Sequence, residues 1–492
     1  MMSYVDEDSS TLAKILLLAY VIVSLILCGG SVFGFTALKE VFLDEGVYED
    51  LCYENTNTNG TTTEVFVPCE DQLQKLDQMF TLAASLFSAY LMPAGLCLRF
   101  LGPRVCFLAG FAFVTTGSWI FAKASAEYFT MAYILIGTGN PLLYIAAFNF
   151  GKIYPQSSNL LLSIFIGCFG FSSVVFYMFH VLHFDFGWSS QELFEGFSFL
   201  PVALGVVGFF VLPPDPYHIQ REKSSKLSDA DSAVAFAKVS RKDADESSTV
   251  TETTPLVSSP SPSTKTADVE TAAHQDTDTG DVVPLKDRSI AQQLQSPQFL
   301  AQTLFFCWGM LQQNFYLGTI GDQIYMMAGD DPTLLEETAT ILTNFALLYP
   351  IGCIVAILPV GALVRNCSVS TSLFVYTAAN LLFSTLTLMP SVPLQWVTSE
   401  LYVFVRVGFF TVMSTYSATI FGFKNLSTMF GFAGCFAGLC SLLGTFLSDR
   451  ALHVDHSFFP VNCLLLAGAL LSFAFPTVIY VLKWQEEAAS HK

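Results

Sequence analysis

Arg406 is a guanidinium set inside an apolar run that extends over residues 394–421. It lies twelve residues after Leu394, which is about 18 Å along a helix and close to the middle of a hydrocarbon layer about 30 Å thick. Placing an arginine there costs at least about 2.5 kcal/mol, so the side chain must face a bundle interior or a water-filled cavity. Its functional reading is a substrate or gating contact. The structural alternative is a permanent partner for helix carbonyls or for Glu400.

Other polar side chains lie within apolar runs. Asn140, Tyr144 and Asn149 fall in 129–150, and Gln312, Gln313, Asn314 and Tyr316 in 298–320. Amides pair with the edge of a base or with the charged ends of an amino acid, and aromatic rings stack on planar groups. Interhelical hydrogen bonding is the competing use of each. Carboxylates are scarce inside the runs. Glu400 sits six residues into its run, while Asp77, Glu195, Asp322, Glu336 and Glu337 stand at run ends and are expected at the interface. A proton- or sodium-coupled carrier needs oxygen ligands in its pathway, so this scarcity points to an uncoupled carrier.

No zinc-like ligand set appears, and His180, His183, His453 and His456 are expected to be solvated near the outer face. Gly29-Gly30, Gly137-Thr138-Gly139 and the glycines from Gly431 to Gly438 follow no strand. They read as close-packing or hinge positions rather than phosphate loops. With no metal motif, no cofactor fingerprint and no nucleophile–base pattern, the residues give no reason to expect an enzyme.

The elements that position these residues follow from composition. Of 492 residues, 52% are hydrophobic and 13% charged, and 47 are phenylalanine. That is more apolar surface than one soluble core can bury, so the chain reads as an all-α integral membrane protein in contact with lipid. Unbroken apolar runs argue against a β-barrel, whose segments alternate in polarity. The formal net charge of −19 excludes a nucleic-acid partner, which needs clustered cations. Apolar runs cover 12–38, 77–101, 105–122, 129–150, 158–182 and 193–212, then 298–320, 336–363, 369–390, 394–421, 426–447 and 457–482. Twelve transmembrane helices in two six-helix halves are therefore expected, with the N-terminal bundle in 1–212 and the C-terminal bundle in 298–482. Asp6, Glu7 and Asp8 before the first run, and its length, speak against a cleaved leader.

Residues 213–297 are rich in Ser, Thr, Asp and Lys and read as a disordered cytoplasmic linker, with 483–492 as a cytoplasmic tail. Ser259-Pro260, Ser261-Pro262 and Ser296-Pro297 are candidate phosphorylation sites. Glu252-Thr253-Thr254-Pro255-Leu256-Val257 resembles an acidic dileucine sorting signal with Val in the last place. With both termini inside, the cytoplasmic segments hold seventeen of the 22 Lys and Arg, as the positive-inside rule requires. The long external loop is then 39–76. It carries Cys52, Cys69 and the sequon at Asn59, all suited to an extracytoplasmic compartment and consistent with a Cys52–Cys69 disulfide. The sequons at Asn366 and Asn425 fall inside and are expected to stay bare.

Between the second and third runs stands Gly95-Leu96-Cys97-Leu98-Arg99-Phe100-Leu101-Gly102-Pro103-Arg104. It resembles the signature loop G-x-x-x-D-R-x-G-x-R of the major facilitator superfamily, with Arg99 and Phe100 where the motif has its Asp-Arg pair. Gly95, Gly102 and Arg104 match, and Arg99 brings the loop's other cation one place before the motif's first Arg. Gly361 to Arg365 is a weaker echo in the second half. Phe33-Gly34-Phe35-Thr36-Ala37-Leu38, Asp77-Gln78-Met79-Phe80-Thr81-Leu82 and Arg406-Val407-Gly408-Phe409-Phe410 narrow the resemblance to solute carrier family 43. Asn149-Phe150-Gly151-Lys152 is similar to that family's fourth-span end. Tyr316-Leu317-Gly318-Thr319-Ile320 looks most like its equilibrative nucleobase transporter branch, whereas Gly422 to Ser427 departs from the family's pattern.

The resemblance implies the major facilitator fold and sodium-independent facilitated diffusion of a small neutral or zwitterionic solute. Purine nucleobases come first, with a large neutral amino-acid uniporter as the alternative and a non-transporting nutrient sensor as a second one. The expected partners are a small-molecule substrate and the lipid bilayer, and a monomer suffices for this mechanism. The plasma membrane is the expected location, with an endosomal or lysosomal membrane as the alternative.

Overall fold

The computed structural model describes residues 11–55, 69–154, 158–214, 285–329, 331–422 and 424–481. Among them every regular element is helical, and ten helices are long and apolar enough to cross a membrane. Helices are the expected solution in lipid, because each one satisfies its own backbone polar groups. Asn59, the candidate sites at Ser259 and Ser261, the sorting-like segment at 252–257 and the tail lie outside the described residues.

The first apolar run is broken. Helix α1 covers Thr11–Cys28, a 3-10 turn covers Ser31–Gly34 and α2 covers Phe35–Asp44. The run therefore continues past residue 38, and Lys39 lies on a helix rather than in the loop where the apolar pattern placed it. Helix α3, Glu70–Lys123, has 54 residues, about 81 Å if straight and far more than one bilayer crossing. It reverses at Gly102, whose φ of 80° and ψ of 171° suit glycine alone. The neighbouring Arg104 donates from Nε and Nη2 to the Leu212 carbonyl at 2.8 and 2.6 Å. Leu212 closes α7, so the cation sits at a helix C-terminus, where the dipole favours it. Arg99, four residues after Gly95, is exposed and stands where the motif has a carboxylate.

The remaining helices are α4 Phe129–Phe148, α5 Ser158–Phe171, α6 Val174–Phe186, α7 Ser190–Val211, α8 Ile290–Leu294, α9 Pro297–Ala328, α10 Pro332–Val355 and α11 Ile357–Asn366, then α12 Val369–Leu386, α13 Gln395–Phe421, α14 Leu426–Ser441, α15 Leu443–Asp449 and α16 Phe459–Leu471. Helix α9 is 32 residues long yet is not among the ten spanning candidates, because Gln312, Gln313 and Asn314 interrupt its apolar run.

Residues 285–297, which composition assigns to the linker, are ordered in large part. Ser289 and Gln292 form a capping box on α8, and Gln293 Nε2 donates to the Leu285 and Phe421 carbonyls at 2.8 and 3.3 Å. Ser296 is the N-cap of α9. Its buried hydroxyl accepts from the Phe299 N–H at 3.2 Å and donates to the Gln293 carbonyl at 2.6 Å. A kinase therefore meets a capping hydroxyl here rather than a free one. Ser296→Ala is expected to lower stability by about 1 kcal/mol, measured as a fall in the melting temperature of detergent-solubilised protein.

Close packing uses small residues, as lipid-embedded bundles require. A Cβ on Gly431 would stand 2.7 Å from the Leu91 carbonyl oxygen, and one on Gly438 would stand 2.4 Å from that of Ser85. Helices α14 and α3 thus cross backbone to backbone. At one end of the bundle Cys52 and Cys69 are joined, with Cα atoms 5.7 Å apart. Near the same end His180 pairs with Glu40 at 2.7 Å and His183 with Asp44 at 2.9 Å. These two histidines, expected to be solvated, instead pin α6 to α2.

Candidate functional site

The break between α1 and α2 frees backbone groups that lipid would leave unpaired, and side chains take them up. Asn140 Nδ2 donates to the Cys28 carbonyl at 2.6 Å, and the Val32 N–H donates to Asn140 Oδ1 at 3.3 Å. Tyr133 Oη donates to the Val32 carbonyl at 2.7 Å, and the Gly30 N–H to Ser172 Oγ at 3.1 Å. Asn140 is thus committed to holding the break. Irregular backbone buried in protein at membrane depth commonly lines a binding site. Here the break presents the Phe33 ring to Arg406.

Arg406 is 2% exposed. Its guanidinium carbon lies 4.5 Å from the Phe33 ring centre and 5.1 Å from that of Phe410, which is cation–π geometry. Nη1 donates to Asn314 Oδ1 at 3.0 Å and makes a long contact of 3.5 Å with Gln313 Oε1. Nε and Nη2 have no hydrogen-bond partner. The Tyr349 hydroxyl lies beside the same guanidinium but is not a partner of either nitrogen. No carboxylate among the described residues forms an ion pair with Arg406, and Glu400 is exposed. A buried cation with two donors unused and no counter-ion is an electrostatic demand for an anion.

The structure sorts the other polar candidates by what they touch. Gln313 and Asn314 meet Arg406 directly. Gln313 Nε2 contacts the Tyr376 hydroxyl at 3.1 Å, and Tyr402 Oη donates to the Gln313 carbonyl at 3.0 Å. Tyr316 packs on Tyr402 with ring centres 4.9 Å apart, and its hydroxyl is unpartnered. Tyr144 lies 4.5 Å from the Phe169 ring and close enough to feel the Arg406 charge, and its hydroxyl is also unpartnered. Gln312 points elsewhere: it bonds Ser384 and accepts from Asn380 Nδ2 at 2.9 Å, so it fastens α9 to α12. Asn149 is 2% exposed with both amide atoms unpartnered, but no contact joins it to Arg406. The tyrosines at 349, 376 and 402 escape sequence reading because aromatic residues are common throughout this chain.

A second buried polar group escapes it for a different reason. Lys39 Nζ lies 2.7 Å from Asp77 Oδ1 and 2.9 and 3.0 Å from the two Asp322 oxygens. Ser448 Oγ donates to Asp77 Oδ2 at 3.2 Å. The three charged side chains are 9%, 1% and 2% exposed. Asp77 and Asp322, expected at the interface, are therefore interior. The helices carrying them extend past the apolar runs, to Glu70 on α3 and to Ala328 on α9, and other helices cover those ends. The inference of an uncoupled carrier from scarce buried carboxylates loses its premise.

The chain matches no family model. It is 26% identical over 479 residues to Protein FMP42 of Saccharomyces cerevisiae, covering 92% of this chain and 91% of that protein. It is 22% identical over 483 residues to the aromatic and large neutral amino acid transporter 5-3 of Toxoplasma gondii, covering 95% and 84%. Similarity to the bovine equilibrative nucleobase transporter 1 is 23% over 157 residues, which is 31% of this chain and 32% of that one. The chain is a multi-pass helical membrane protein similar to transporters.

Proposed function

We propose that this chain is a carrier for amino acids with apolar side chains, working by alternating access, with Arg406 holding the substrate carboxylate and with the facilitative mode that the resemblance to solute carrier family 43 implies. The observation that carries the reading is Arg406 itself, 2% exposed with Nε and Nη2 unpartnered and no carboxylate among the described residues in contact. A zwitterionic amino acid brings an anion that fits a guanidinium fork, whereas a neutral purine leaves the cation unbalanced. The rings of Phe33 and Phe410 against the guanidinium suit an apolar side chain beside the charge. The Toxoplasma relative named for aromatic and large neutral amino acids aligns over 95% of this chain, which favours the same class. Purine nucleobases are the second reading, favoured by the likeness of Tyr316 to Ile320 to the nucleobase branch of solute carrier family 43.

The architecture belonging to this proposal is the major facilitator fold with twelve passes. The reversal at Gly102 makes two passes of α3, and α9 supplies the crossing whose polar centre lowers its hydropathy. Two six-helix halves then meet at Arg406, with Gly95, Arg99, Gly102 and Arg104 on the cytoplasmic side and the Cys52–Cys69 loop outside. Residues 215–284 join the halves, and the plasma membrane is the location. Uptake of labelled leucine and labelled adenine, measured in the same cells expressing the chain, tests the substrate class. Leucine flux at least about tenfold above adenine flux is expected, since an unpaired buried charge is worth more than one factor of ten in binding. Adenine flux without leucine flux overturns the assignment.

A further inference from the structure

We infer that Lys39, Asp77 and Asp322 form an external gate that closes by taking up one proton from the outside solution. Lys39 on α2 and Asp77 on α3 come before the 215–284 segment, and Asp322 on α9 comes after it, with Ser448 on α15 completing the group. Rocking one set of helices from the other must therefore break Lys39–Asp322, while Lys39–Asp77 travels together. The group lies at the end of the bundle that carries the Cys52–Cys69 disulfide, between the outer solution and Arg406.

The charges do not balance. One ammonium faces two carboxylates in a site where side chains are 9%, 1% and 2% exposed, leaving one negative charge in a medium that penalises it by several kcal/mol. Among the described residues no second cation pairs with the group: Lys75, two residues before Asp77 on α3, has its Nζ over the Tyr48 ring at 5.9 Å. Glu40, next along α2, is paired with His180 of α6 at 2.7 Å. Tyr325 of α9 and Ser448 of α15 are neutral, His183 goes to Asp44, and Arg450 goes to Asp455 at 3.0 Å. Two carboxylates on one Nζ can share a proton, which makes the closed group neutral. On opening, Lys39–Asp77 remains a neutral pair, Asp322 is hydrated, and the proton leaves to the external water. The closed form thus binds one proton more than the open form. Acid stabilises closure, and the open-to-closed ratio rises by up to tenfold per pH unit above the ordinary carboxylate range near about 4.

The inference rests on the carrier reading only for the direction of opening. Its readout is accessibility without substrate, so it stands or falls apart from the amino-acid assignment. Thr81 lies on α3 one turn deeper than Asp77 and is 9% exposed. The full chain carrying Thr81→Cys, with the unsubstituted chain as background, is labelled from outside with an impermeant maleimide between about pH 5.5 and about pH 8, a window above the carboxylate range. Its rate is divided by that of glutathione at each pH, which cancels thiol ionisation. A normalised rate climbing by up to tenfold per unit is expected, and a flat one overturns the proposal. Added Asp322→Asn or Asp77→Asn leaves one lysine and one carboxylate, so the normalised rate should become flat. Retention of the wild-type slope in either variant overturns it as well.

Discussion

Arg406→Met is expected to abolish uptake while leaving the chain as stable as the wild type or more so. Two opposed costs meet at this residue. With substrate bound, removing the guanidinium deletes a buried charge pair, a loss of about 2 to 5 kcal/mol and so roughly a hundredfold or more in affinity. Without substrate, the cation has one good hydrogen bond, to Asn314 at 3.0 Å, and two unpartnered donors, so its burial is itself unfavourable. Replacing a poorly compensated buried ion by an apolar side chain of similar length is commonly neutral or stabilising. Arg406→Lys keeps the charge but loses the planar fork and the contact with the Phe33 ring. It should fold normally and bind roughly tenfold more weakly. Melting temperature and leucine binding on the same detergent-solubilised samples separate the possibilities. A sharp fall in melting temperature for Arg406→Met would mean that the arginine holds the bundle together, and the substrate role would be withdrawn.

That residue was the most legible functional feature in the sequence because its signal is local, a lone guanidinium near the centre of an apolar run. Gln313 and Asn314 were legible for the same reason, although nothing in the one-dimensional pattern separates them from Gln312. The separation comes from helix rotation: successive residues point about 100° apart, so Gln312 reaches Ser384 and Asn380 on α12 while its neighbours reach Arg406. Asn140 looked like a ligand-binding amide. Its work depends on the break at 29–34, whose unpaired Cys28 carbonyl and Val32 N–H it takes up, and an apolar count treats that break as continuous helix. The same counting placed Lys39 and Asp322 outside the spans. Hydropathy marks where lipid-facing character ends, whereas burial depends on what packs over the helix ends.

Lys39→Met should be the most destabilising single change near the outer face, and the reason lies in what it leaves behind. Asp77 and Asp322 would then share a buried site with Ser448 as the remaining donor, and stripping one partner from a buried ion group costs about 3 to 5 kcal/mol. Reduced expression and a lower melting temperature are expected. The loss belongs to the uncompensated carboxylates rather than to a missing contact, so adding Asp77→Asn and Asp322→Asn to Lys39→Met should restore most of the stability. Fluorescence-detected size exclusion across a temperature series measures both variants. If the triple variant is no more stable than Lys39→Met, the ammonium is needed for its packing and the charge argument fails. If stability returns, the triple variant has a folded bundle without an ion lock between α2 and α9. External labelling of Thr81→Cys should then be fast and, after normalisation, independent of pH. Holding the fold and holding the gate shut thereby become two separately measurable roles of the same three side chains.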